Sequence, residues 1–391
     1  MTKIKIIKNT THKHLEDIYR KINNYRDESI ELSIPNELSQ YRFGLLADIL
    51  KLIITLNSSS HIKSVKLDFD LNELDRFYEQ EYSYPIISLL WNNSSFLDGN
   101  GENIKSLLRS KQNEFFLKMN SFEKFKGNKH IWVNTDHLSQ SKGLIRLFEN
   151  ANGFNDDEEK IISSVRRILV ENVLTFNKRN IEEIDSIIGD IGAIIYELTK
   201  NTFEWGRTDS NSVEIPASIR GAYLRFHKNK KERLVKDYLG TPITTFFEHK
   251  SIEQESLNHL EQVYYLEILV FDSGVGFIEK FQERDEINNL NIIKKCLIKN
   301  QTSSVSNLKS KKGIGLDRIL KILDNKGFLK ISTDIYEVYR DLIKDNYKPV
   351  DKNNLEDLVL ENWNPEGDVN HVKAQGSYVS ILYPFKNEAY G

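Results

Sequence analysis

Glu197 and Asn201 stand one helical turn apart in ELTKN (197–201), so both side chains project from one face of a helix. A carboxylate there is placed to orient or deprotonate a water. The neighbouring amide oxygen is a hard ligand of the kind magnesium takes alongside phosphate oxygens and water. Asp272 follows the apolar run LEILVF and opens DSGVG (272–276). A carboxylate at the end of a buried strand is costly without a donor to satisfy it, and Gly274 and Gly276 let backbone approach a ligand closely. GIGL (313–316) precedes an amphipathic stretch, where the amides and dipole of a helix start favour anions; Lys311 and Lys312 stand just before it. Taken singly, each pattern is ordinary: a solvated helix face, a capped turn, a tight connection, an exposed lysine pair. Their order along one chain is what selects a chemistry.

An ExxxN helix, an apolar strand running into DxGxG, a polar segment and a GxGL helix resemble the GHKL superfamily of gyrase, mismatch-repair and heat-shock chaperone ATPases and histidine kinases. The resemblance covers roughly residues 160–385 and includes a closing strand, GSYVSILYPF. It implies a Bergerat-type fold that binds ATP and Mg2+. Glu197 would be the general base and Asn201 the metal ligand. Asp272 would receive the adenine amine, with Gly274 and Gly276 beside the base. Gly313, Ile314, Gly315 and Leu316 would cradle phosphate, with Lys312 adding charge. IKNQTSSVSNLKSKK occupies the ATP-lid position, which makes Thr302 and Ser303 candidate phosphate contacts.

The pattern also departs from its relatives. NTFEWG (201–206) is most similar to the NxxxHG ending of anti-sigma-factor serine kinases, with Trp205 in place of the histidine. HLED at His14 and HLEQ at His259 lack the proline context of a phosphoacceptor histidine. Almost nothing follows the last strand, which argues against a transducer domain that supplies a lysine. The expected function is Mg-dependent ATP binding with slow hydrolysis, driving a switch that controls a protein partner. An ATP-dependent homodimer is a natural extension. The alternatives left open are a serine/threonine kinase of anti-sigma type and a nucleotide sensor without turnover.

The elements that must hold these residues follow from periodicity. IELSIP, the helical YRFGLLADILKLIITL and the alternating IKSVKLDFD give strand, helix, strand, an α/β layer whose rhythm is similar to STAS domains. More helical sequence leads to a strand at HIWVNT. The acidic, turn-rich ANGFNDDEEK marks a boundary near 155. The expected organisation is α/β (α+β): a smaller N-terminal domain over 1–155 and a sandwich with a mixed sheet over 156–391, carrying insertions near 207–262 and 335–375.

Bulk properties narrow the classes further. The 391 residues are 39% hydrophobic and 28% charged with a net charge of −3, which suits a globular protein and gives no electrostatic case for nucleic acid. Cys296 is the only cysteine, so no intramolecular disulfide or CxxC metal site forms. No Walker P-loop and no GxGxxG occurs. No secretory signal or membrane-length apolar run is present, so a cytoplasmic location is expected.

Overall fold

Parallel strands need crossover connections, and the first hundred residues supply them. β1 (Thr2–Lys5), α1 (His12–Tyr19), β2 (Ser29–Ile34), α2 (Leu45–Ser59), β3 (His61–Leu67), α3 (Leu74–Tyr78), α4 (Ser83–Leu90) and β4 (Ser95–Leu97) build a parallel sheet in the order β1-β2-β3-β4. This is a computed structural model, and it describes residues 1–175, 178–279, 289–298, 315–350, 354–364 and 372–387. α2 is buried without interruption from Leu45 to Leu56. A helix apolar on every side must be covered on every side. α1, α4 and β3 cover it within this layer, and a strand from the far end of the chain covers the rest.

That strand belongs to a second sheet. After α5 (Lys105–Ser121) come β5 (Lys129–Thr135), α6 (Gln140–Gly143), β6 (Glu149–Asn150), β7 (Gly153–Phe154), α7 (Glu158–Ile168), α8 (Lys178–Asp185) and α9 (Ile188–Trp205). They are followed by β8 (Ile219–Lys230), α10 (Lys231–Asp237), α11 (Pro242–Glu248), β9 (Gln262–Asp272), α12 (Asn289–Leu297) and α13 (Gly315–Ile322). β10 (Phe328–Asp334), β11 (Tyr336–Asp341), β12 (Glu361–Asn362) and β13 (Ala374–Pro384) complete the chain. Seven strands pair in the order β12-β11-β10-β13-β9-β8-β5, and α2 packs on β13.

The α+β class is what the periodicity implied, with three differences. Every pairing in the seven-stranded sheet is antiparallel, so parallel and antiparallel strands are segregated into two sheets and not mixed in one. The edge strand β5 lies before residue 155 yet pairs with β8 from Lys129↔Arg225 to Thr135↔Ile219, so the acidic turn near 155 does not separate the sheets. The two stretches read as insertions also carry structure. α10 and α11 bring Leu234, Tyr238, Ile243, Phe246 and Phe247 into a second apolar cluster with Phe328 and Leu382, and β11 and β12 extend the sheet. No helix among the described residues is long and apolar enough to cross a membrane. Cys296 lies on α12, where burial pushes its thiol up to about 12, well away from a reactive thiolate.

β5 is fastened by charge as well as by its ladder. Arg220 on β8 is 0% exposed. Its guanidinium donates to Asp136 (3.1 Å to Oδ2) and to Glu149 (2.7 Å to Oε2), both in the segment that follows β5. Asn134 donates to the same Glu149 at 2.7 Å, and Ser218 to the same Asp136 at 2.8 Å. Removing one member of such a buried set strands the others in low dielectric. Arg220→Leu is expected to cost about 3–5 kcal/mol of unfolding free energy. Arg220→Lys should recover less than half of that, because a single ammonium cannot serve both carboxylates in the planar fork geometry. Urea denaturation of the three proteins measures both; a loss below about 1 kcal/mol for Arg220→Leu would refute the assignment.

Candidate functional site

α9 forms because Ile191, Ile194, Ile195, Leu198 and Thr202 recur at helical spacing and make one buried stripe. The stripe packs on α7, α13, β8 and β9. Glu197 and Asn201 lie beside it, half-buried. Burial raises the Glu197 carboxyl above its ordinary value; Lys200 and Arg318 oppose that shift, and Glu158 and Glu204 add to it. Two of these neighbours come from other elements, Glu158 from α7 and Arg318 from α13, and they face each other at 3.5 Å. Lys200 turns away to pair with Asp156 and accompany the Tyr196 hydroxyl. The Asn201 side chain makes no hydrogen bond to another described residue, while its backbone lies within α9.

The helix ends at Gly206, whose N–H donates to Thr202 O at 2.8 Å. A Cβ at Gly206 would lie 2.7 Å from Asp272 Cβ, and one at Gly274 would lie 2.8 Å from Gly206 Cα and 2.9 Å from Trp205 O. Neither position tolerates a side chain, because the end of α9 and the DSG turn press backbone to backbone. Sequence reasoning gave Gly274 to ligand approach; its glycine is already required by this contact. Gly276 has φ +87°, and Thr333 on β10 receives the next amide, Phe277 N, at 3.1 Å.

Asp272 closes β9 opposite Arg220 on β8 and Ser377 on β13. It is 7% exposed. Its Oδ1 accepts from Gly274 N at 2.8 Å, and among the described residues it has no ion-pair partner. Burial pushes its carboxyl up to about 6, against the lowering effect of the Gly274 N–H, the Arg220 charge and the Ser377 backbone. Ser273 fixes the turn from the other side: its Oγ accepts from Ile219 N at 2.8 Å and donates to Ser218 Oγ, which reaches Gly206 O at 3.2 Å.

No family model, curated protein or solved structure matches this chain. The site is therefore judged by its own geometry. Glu197 and Asn201 on α9, and Asp272, Gly274 and Gly276 in the turn that abuts the end of α9, are brought to one region. Gly315 and Leu316 begin α13, which packs along α9 and carries Arg318 to Glu197. Thr302, Ser303, Lys311, Lys312, Gly313 and Ile314 lie outside the described residues. Sequence reasoning missed Glu158, Arg318, Gly206 and Ser273. Only Gly206 had a local signal, as the small residue ending the ExxxN helix; the others act through tertiary contact.

The high proton affinity of Asp272 has a signed consequence. A carboxyl at about 6 when folded, against 3.8 when unfolded, binds its proton more tightly in the native state. Stability due to this group therefore falls as pH rises from about 4 to about 6, and the full cost stands above that. Asp272→Asn is expected to stabilise the protein by roughly 2–3 kcal/mol at pH 7 and by almost nothing below pH 4. Denaturation across that range measures the difference, and a gap that does not vary with pH would contradict it.

Proposed function

We propose that the protein binds Mg-ATP in the manner of a GHKL ATPase and uses slow hydrolysis to switch its conformation against a protein partner. The observation that carries this reading is Asp272. A buried carboxylate with a high proton affinity and no ion-pair partner among the described residues sits at the turn where the end of β9 packs against the end of α9. A donor on a flat ring would stabilise its charged form, and the adenine amine is such a donor. The ExxxN helix ending against that turn and the α13 helix packed along it support the same reading, because the first carries Glu197 and Asn201 and the start of a helix favours anions.

When bound, Mg-ATP supplies the phosphoryl group to be transferred and the cation that gathers its charge. The residues here do the rest. Asp272 would hold the base, Asn201 would offer its amide oxygen to the metal, and Gly315 and Leu316 would present helix-start amides toward phosphate. Glu197 would take a proton from the attacking water, and its raised proton affinity makes it a stronger base than an exposed carboxylate. Arg318, paired with Glu158 and close to Glu197, holds positive charge near the reacting end.

Two substitutions test this with labelled ATP. Glu197→Gln should leave ATP affinity within about threefold and lower phosphate release by roughly a hundredfold or more. Asp272→Asn should weaken ATP by roughly tenfold while leaving inorganic tripolyphosphate unchanged. Failure of the wild-type protein to bind ATP with magnesium would end the proposal. Equal losses for ATP and tripolyphosphate would remove Asp272 from base recognition, and label transferred to another protein would assign the site to a kinase.

A further inference from the structure

The N-terminal layer is tied at both ends of α2 to the strand that leads into the DSG turn and to the residue that holds that turn. At its start, the N–H of Gly44 donates to Glu267 Oε1 on β9 at 2.9 Å. Glu267 is fully buried and also engages the Tyr41 hydroxyl at 3.2 Å and His227 Nε2 at 2.7 Å. Near its end, Thr55 Oγ1 accepts from Gln375 N at 3.1 Å. The side-chain amide of Gln375 then donates to two carbonyls of the turn, Ser273 O at 3.0 Å and Gly274 O at 2.6 Å. Gly376 N donates to the same Gly274 O at 2.7 Å.

The spacing of these ties fits a strut. Gly44 to Thr55 is eleven helical steps, about 16 Å. Glu267 to Asp272 is five strand steps, also about 16 Å. α2 thus matches the last half of β9 in length and is pinned near either end of it. α1 joins the same clasp: the Tyr19 hydroxyl donates to Val372 O at 3.2 Å and lies within hydrogen-bonding reach of Thr55, and burial with the nearby Glu337 carboxylate holds that phenol protonated. Asp48 and Lys51, the two charges on the buried length of α2, are tied to β10 and β11 through Lys330 and Glu337. The strut cannot slide without breaking buried ion pairs.

We propose that α2 sets the shape of the nucleotide-binding turn through Thr55 and Gln375, so that whatever shifts α2 changes ATP affinity and ATP in turn holds α2 in place. The proposal rests on the ATP reading above and gives it a regulator. Gln375 is a positioning residue: it holds the carbonyl side of the turn whose amide side holds Asp272 Oδ1. Coupling of this kind is reciprocal by thermodynamic necessity.

The test compares Thr55→Val, Gln375→Leu, the double variant and Thr55→Ser in the full chain, by titration with Mg-ATP and with inorganic tripolyphosphate. Thr55→Val is close to isosteric, so it carries the test even where Gln375→Leu disturbs folding, and thermal melts of each protein accompany the titrations. Thr55→Val and Gln375→Leu should each weaken ATP by roughly fivefold, the worth of one buried hydrogen bond. The double variant should lose no more than the worse single, Thr55→Ser should match wild type, and tripolyphosphate should bind all of them alike. ATP should also slow hydrogen exchange along α2 in the wild type and less so in Thr55→Val. If Thr55→Val binds ATP as wild type does, if the two losses multiply, or if tripolyphosphate weakens in step, the coupling is refuted. If wild type binds no ATP, the function proposed above falls and takes this inference with it; wild-type binding with unaffected variants sinks this inference alone.

Discussion

A helix with no polar face cannot lie on a surface, and α2 is such a helix. The four-stranded sheet and its helices cover part of it, and the large sheet must cover the remainder through β13. Much else follows from that requirement. It brings Lys330 and Glu337 against the two charges that α2 does carry, and each becomes tolerable only because the other layer supplies a counterion. It also places Thr55 beside Gln375, at the start of the strand that flanks Asp272. One apolar cluster runs through residues of both layers, from Ile4 to Phe385, as burial of this helix demands.

The candidate site is built the opposite way, from polar groups that packing has isolated. Asp272 is kept from water, approached by two backbone segments and set opposite an arginine already committed to Asp136 and Glu149. Its energetic cost is spread over the residues around it. Gly206 and Gly274 remove bulk, Ser273 satisfies Ile219 N, and Gly274 N–H shares in the negative charge. Perturbed carboxyls are common at functional sites and also occur in purely structural networks, and the Asp272 carboxyl with its raised proton affinity is one such group.

What could be read in advance was whatever is local. The periodicity of α2, α9, β8, β9 and β13 is written in runs of apolar residues, so their types were legible. So were Glu197 with Asn201, whose spacing is a property of one helix, and Asp272, whose apolar run ends in a glycine turn. The rest depended on partners distant in the chain. Nothing in HIWVNT says that it will be the edge of a sheet whose next strand begins some eighty residues later. The segment after 230 is rich in charge and looks irregular, yet Leu234, Phe246 and Phe247 bury themselves against Phe328 and Leu382. Arg318 and Glu158 are ordinary surface types until α7, α9 and α13 pack and set them beside Glu197.

The placement of β5 and β13 bears on how the chain comes to be folded. A ribosome delivers β5 long before β8 and β9, and α2 long before the strand that will cover it. During that interval an apolar helix face and an unpaired strand edge wait for partners more than three hundred residues away in one case and nearly one hundred in the other. Contacts of such long range close slowly, and exposed edges in the meantime invite pairing with other chains. Cutting the polypeptide at its acidic turn near 155 would make that waiting state permanent, leaving β8 paired on one side only and β13 without its helix. The chain looks divisible there, but the seven-stranded sheet and the helix that covers it draw on residues from both sides of that turn.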